Sequence, residues 1–79
     1  MKVGAGDHIK VRKVTNLSLN LWQKAKSHGM SYLHCPCNVK PTDVCLVLAT
    51  FGKGGLVCQC NNFKVIVHIK DIIKIEVEE

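Results

Sequence analysis

Residues 44–77 read VCLVLATFGKGGLVCQCNNFKVIVHIKDIIKIEV. Short apolar runs alternate with turn signals, and none is long enough for a helix, so the stretch reads as a β-meander. Val44–Phe51 is apolar on both faces, which suits a well-covered strand. Gly52-Lys53-Gly54-Gly55 supplies a flexible turn, and Leu56–Cys60 is the next strand. Asn61-Asn62 is a two-residue turn, because Asn tolerates the positive φ of a tight hairpin. Phe63–Ile69 then alternates. Phe63, Val65, Val67 and Ile69 face inward, while Lys64, His68 and Lys70 face out. Lys70-Asp71 is a tight corner. Ile72–Val77 is the last strand, with Ile73, Ile75 and Val77 on one face. On this phase Ile66 and Ile72 point away from the interior.

Upstream, Asp7–Val14 reads as a first strand, with Ile9 and Val11 on one side and His8, Lys10 and Arg12 on the other. Residues 18–28 read as the one helix. Ser18 is the expected N-cap, Leu17 and Trp22 sit at staple positions, and Gly29 is a natural stop. Leu21, Ala25 and His28 share a face, and Lys24 and Lys26 lie toward the other. Residues 30–42 form a loop, since Pro36 and Pro41 exclude a regular central strand. The expected fold is therefore mostly β: five antiparallel strands with one short helix inserted after the first. Small sheets of this kind usually close into a barrel, which removes exposed edges.

The chain has 79 residues, 47% of them hydrophobic, which is the size of one small globular domain spanning 1–79. A core this thin often needs a metal, a disulfide or a partner as a staple. No apolar run follows Met1, so no secretory signal is expected. No segment approaches the roughly 20 apolar residues of a membrane span. The expected setting is a reducing cytoplasm, in which the five cysteines would be thiols or metal ligands rather than disulfides. The net charge of +5 is lopsided. Before residue 41 the cations Lys2, Lys10, Arg12, Lys13, Lys24, Lys26 and Lys40 face Asp7 alone. A basic face of this kind attracts nucleic acid or an acidic protein.

Gly6-Asp7-His8-Ile9-Lys10-Val11 resembles the Gly-Asp, apolar, x, apolar opening of SH3-like barrels of the KOW type. Val67-His68-Ile69-Lys70-Asp71-Ile72-Ile73 resembles their short turn before the final strand. The resemblance covers strands one, four and five. It departs at residues 15–43, where a helix-bearing segment replaces a simple loop. It implies a binding module rather than an enzyme, and names no particular partner. Small cysteine-bearing chains of this type also resemble phage accessory proteins.

Two Cys-x-Cys pairs, Cys35 with Cys37 and Cys58 with Cys60, carry enough sulfur for a four-thiolate zinc site. The spacing is tighter than the usual Cys-x₂₋₄-Cys, and Cys58 and Cys60 fall on one face of a strand. The reading therefore favours core and loop thiols, with zinc as the alternative. Cys45, inside an apolar strand, belongs to the core. Nucleophilic cysteine chemistry needs a thiolate beside a base, and Cys-x-x-Cys is absent. Asp7, Asp43 and Asp71 stand where turns use Asp, and Glu76, Glu78 and Glu79 form a solvated tail. Gly52-Lys53-Gly54-Gly55 lacks the spacing of a phosphate loop. No enzymatic activity and no obligatory cofactor are expected.

The residues expected to meet a partner are Lys10, Arg12 and Lys13 on strand one, Lys24 and Lys26 on the helix, and Tyr32 in the loop. Lys64, His68 and Lys70 on the fourth strand complete the set. Converging, these cations would contact phosphates; dispersed, they are an ordinary lysine-rich solvent face. Trp22 and Phe63 read as core, which leaves Tyr32 as the free ring and makes any contact mainly one to the phosphate backbone. The first expectation is nucleic acid, or a nucleic-acid machine, met through a basic face. The alternative is a small regulator or inhibitor of a cellular protein. It would act through an apolar–basic surface seeded by Ile66 and Ile72, unless the helical segment folds over them.

Overall fold

The computed structural model describes residues 2–75. Its strands are β1 (His8–Val11), β2 (Val44–Phe51), β3 (Gly55–Cys60), β4 (Phe63–His68) and β5 (Ile72–Ile75), and its helix is α1 (Asn16–Ser27). The expected continuation of β5 through Val77 lies outside the described residues. All ladders between the strands are antiparallel, in the order β4-β3-β2-β1-β5. The meander is thus as expected, and the last strand returns beside the first. The sheet stays open, with β4 and β5 as its edges, where a closed barrel was expected. The edge of β4 is covered at one point by a parallel bridge between His34 and Val65, which blunts it as a pairing template.

Alternation along the strands separates two apolar clusters. The inner cluster draws on all five strands and includes Ile9, Val11, Cys45, Val47, Leu56, Cys58, Val65, Val67 and Ile72. The second lies on the outer face, where Val57 and Ile66 meet Ala25 and Leu33, with Leu21, Trp22, Met30 and Phe51 around them. Ile66 is fully buried beneath the helix, so it seeds no surface patch. Ile72 is inside the inner cluster at 3% exposure while Ile73 is 49% exposed, the reverse of the expected phase. The corner at Ile69–Asp71 winds as a 3-10 turn, and this resets the alternation before β5 begins.

β2 also departs from expectation. Val44, Leu46 and Leu48 are 49%, 37% and 39% exposed, so one face of this strand is open rather than covered. The register slips between Val47 and Ala49, a bulge at Leu48 that turns Phe51 toward the helix. The turns match their chemistry: Asn61 has φ 54° and Gly52 has φ 58°.

The helix begins two residues before the expected start. Thr15 is the N-cap and accepts from the Leu17 amide, and Leu17 is solvent-exposed. The C-terminus closes as a Schellman turn, with Met30 N–H donating to the Ala25 carbonyl at 3.0 Å and Gly29 N–H to that of Lys26 at 3.2 Å. No described helix is long and apolar enough to cross a membrane.

The cysteines pair where thiols were expected. Leu46 lies opposite Gln59, which sets Cys45 across from Cys60 with Cα atoms 4.5 Å apart. That is the close, non-hydrogen-bonded spacing of an antiparallel ladder, and the two form a disulfide inside the core. Cys35 and Cys37 form a second disulfide in the loop. Cys58 is the free cysteine and is fully buried.

Candidate functional site

The outer face of the sheet divides in two. α1 packs against β4 and covers the end that carries Val57 and Ile66. The β5–β1–β2 side stays open. Ile9 and Val11 point into the core, so alternation puts His8, Lys10 and Arg12 in one column on the open face. The register flanks this column with apolar side chains. Lys10 lies between Val44 and Ile73, and His8 between Leu46 and Ile75. The row through His8 continues across Leu46 to Gln59 and then to Lys64.

At the foot of the column Arg12 leaves the strand. Its Nη2 donates to the Lys70 carbonyl at 3.0 Å. Arg12 and Lys70 border a cleft of about 490 Å³ floored by Ile69 and Ile72. Lys13 is held beside them, because the Arg12 and Lys13 amides both donate to the Asp71 carbonyl, at 2.8 and 3.3 Å.

Asp71 anchors this corner. Its carboxylate accepts from the Thr15 amide at 3.0 Å, from the Thr15 hydroxyl at 2.7 Å and from the Ser18 hydroxyl at 2.6 Å. Ser18 Oγ in turn accepts from the His68 amide at 2.9 Å. Burial by itself would raise the Asp71 pKa. The hydrogen bonds from Ser18 and Thr15, with the nearby His68, outweigh it and hold the carboxyl below its ordinary value. The acid is therefore an ionised carboxylate whose oxygens are engaged by Thr15 and Ser18. Among the described residues the one ion pair is Lys74 with Asp7, at 3.8 Å.

A second hollow, of about 190 Å³, lies at the start of β4 and is lined by Tyr32, His34, Gln59, Asn62, Phe63 and Lys64. Tyr32 is 57% exposed. The His34 and Phe63 rings stand 5.4 Å apart at 57°.

The structure thus brings Arg12 and Lys70 to one cleft, with Lys10 two residues up the strand from Arg12, the Lys13 backbone beside them and His68 half-buried at the corner. It brings Tyr32 to Lys64 at the second hollow. Lys24 and Lys26 border neither hollow, and Lys26 Nζ sits 3.9 Å from the Trp22 ring centroid. Period two along β1 placed His8 on the face of Lys10 and Arg12, though it was not counted among the partner residues; His34, Gln59, Asn62 and Phe63 were not counted either. His34 reaches Phe63 through the bridge to Val65, a tertiary contact that no local pattern announces.

The four cysteines considered for zinc stand in different pairings. Cys60 is bonded to Cys45 and Cys35 to Cys37, while Cys58 lies in the core. Among the described residues no three His, Cys, Asp or Glu side chains gather where one metal ion would sit. Burial pushes the Cys58 thiol up to about 12, far from the low pKa of a reactive cysteine.

No family model matches the sequence, and comparisons with curated proteins and with solved structures return no match.

Proposed function

We propose that this chain is a non-catalytic, SH3-like binding module that holds the phosphate backbone of a nucleic acid, alone or within a nucleic-acid machine, on its open sheet face. The observation that carries the reading is the column His8, Lys10 and Arg12. It lies on the face that α1 leaves uncovered, and Arg12 at its foot meets Lys70. The strand order, with β5 returning beside β1, supports the SH3-like assignment. The cytoplasm is the proposed setting. There the Cys45–Cys60 bond is shielded from reductants by complete burial.

The test is anisotropy of labelled single- and double-stranded DNA and RNA between 50 and 200 mM salt. Contacts from about four cations lower duplex affinity roughly 100-fold over that range, from a slope of about −0.9 per phosphate. Arg12→Gln and Lys10→Gln should each reduce the slope by about one. No binding at the lowest salt overturns the reading.

A second reading has its own support. Val44, Leu46, Leu48 and Ile73 are exposed around the same cations, a surface suited to an acidic protein partner. Capture of such a partner that survives high salt, without nucleic-acid binding, would favour it.

A further inference from the structure

We infer that the hollow formed by Tyr32, His34, Phe63 and Lys64 is a stacking subsite for an unpaired nucleobase, which makes single strands the preferred form of the nucleic acid proposed above. The inference rests on that reading and sharpens it.

Three aromatic or imidazole rings meet at one surface position in a chain with few of them. Phe63 is half-buried against the inner core, so it forms a fixed floor. His34 leans on it at 5.4 Å. Tyr32, more than half exposed, stands free at the rim. An exposed phenol of this size is poorly used by the fold itself, because no described hydrogen bond engages its hydroxyl.

The platform is held in place from both sides. Leu33, between the two outer rings, is 3% exposed, and its carbonyl accepts from Trp22 Nε1 at 3.0 Å. The His34 amide donates to the Lys64 carbonyl at 2.8 Å. Tyr32 and His34 are thus presented by a backbone already ordered, so a base that stacks on them has little ordering cost to overcome.

The chemistry of the rim is that of a nucleotide. Stacking on a π-face tolerates any base. Lys64 supplies a cation for the adjoining phosphate, and no carboxylate lines the hollow. The Gln59 amide nitrogen is committed to the Asn61 and Phe63 carbonyls at 3.0 and 3.2 Å. This fixes the side of the hollow and leaves the Asn62 amide at the turn for a base edge. A duplex keeps its bases stacked within the helix and cannot use such a site.

One row across the sheet joins the hollow to the basic column. Lys64, Gln59, Leu46 and His8 form one row across four strands. Arg12 lies about 20 Å from Lys64 on the diagonal, at strand spacings of about 4.8 Å and 3.3 Å per residue. At the duplex rise of about 3.4 Å per nucleotide about six nucleotides cover that distance, and an extended single strand needs fewer. A twelve-nucleotide thymidine oligomer therefore reaches both places.

The experiment compares that labelled oligomer with a twelve-base-pair duplex, binding to the wild type, Tyr32→Ala and Tyr32→Phe at 50 mM salt. Tyr32 lies outside the core, and Trp22 fluorescence reports that each variant is folded. The expected result is about a tenfold or larger loss of single-strand affinity in Tyr32→Ala, with duplex affinity unchanged and Tyr32→Phe close to wild type. Equal single-strand binding by Tyr32→Ala and wild type overturns the subsite and leaves the phosphate reading standing. So does binding of the duplex in preference to the oligomer. Binding of neither probe overturns both.

Discussion

Asp71→Asn tests the corner on which the basic column depends. In the native protein three donors, the Thr15 amide, the Thr15 hydroxyl and the Ser18 hydroxyl, converge on this carboxylate. The residue itself is 2% exposed. An amide keeps one acceptor oxygen but sets an NH₂ against donors, so at least one charge-assisted bond is lost and a buried donor is orphaned. At about 1.5–3 kcal/mol for a hydrogen bond to a charged group, the expected loss is about 2–3 kcal/mol. A chain of this length has about 4–12 kcal/mol in all, so Asp71→Ala, which orphans all three donors, is expected to leave little folded protein. For Asp71→Asn the loss corresponds to a fall in Tm of about 10–20 °C.

The pH dependence has a defined sign. The folded-state pKa of Asp71 is lowered, so its contribution is complete above the carboxyl's unfolded value of about 3.9 and fades as pH falls through the native value. The gap in Tm between wild type and Asp71→Asn should be widest at neutral pH and should narrow below about pH 4. Thermal unfolding followed by circular dichroism at several pH values measures it. A variant within about 3 °C of wild type at pH 7, or a gap that does not change in acid, would refute the reasoning.

The remaining predictions concern the core. Cys45→Ser with Cys60→Ser opens a loop of sequence separation 15 and should cost about 3 kcal/mol by chain entropy; a urea midpoint equal to wild type would contradict this. Ile66→Ala removes the side chain on which α1 rests and should cost about 2–5 kcal/mol, read as the same midpoint; a loss under about 1 kcal/mol would show that the helix is held by other contacts. Without reductant, iodoacetamide at pH 8 should leave the folded protein unmodified, because burial holds the Cys58 thiol near 12. A single adduct should appear in mass spectra only after denaturation, and labelling of the native chain would argue against the burial. Gly55→Ala should destabilise the β2–β3 hairpin, since an added Cβ collides with the Phe51 carbonyl; wild-type Tm in that variant would rule the collision out.

The meander was legible because its signals are local. Apolar runs mark the strands, and Gly52 and Asn61 mark turns whose positive φ they supply. The helix was legible as an element but not at its start. Ser18 has the chemistry of a cap, yet its hydroxyl serves Asp71, 53 residues away, and Thr15 takes the cap. Periodicity failed wherever the backbone adds a residue. The bulge at Leu48 and the 3-10 corner at Ile69–Asp71 each reset the phase, which is why Ile72 and Ile73 exchange places. The Cys45–Cys60 pair required a register that composition does not contain. Of the candidate site, the cations of β1 followed from period two. The ring cluster at Tyr32 did not, because the bridge to Val65 assembles it.

The position of Asp71 also orders the assembly of the chain. The β2–β3 and β3–β4 hairpins join near neighbours, so they can form as soon as residue 68 is available. α1 precedes them in the chain, yet its apolar face rests on β4 and its first turn is fastened to residue 71. β1 likewise gains β5 only after the whole meander exists. A nascent chain emerging from its N-terminus must therefore carry an unfastened helix, and a first strand paired on the β2 side alone, until residues 71–75 have been made. Long-range closure of this kind folds slowly for its size, and the corner that joins Arg12 to Lys70 is completed only with it.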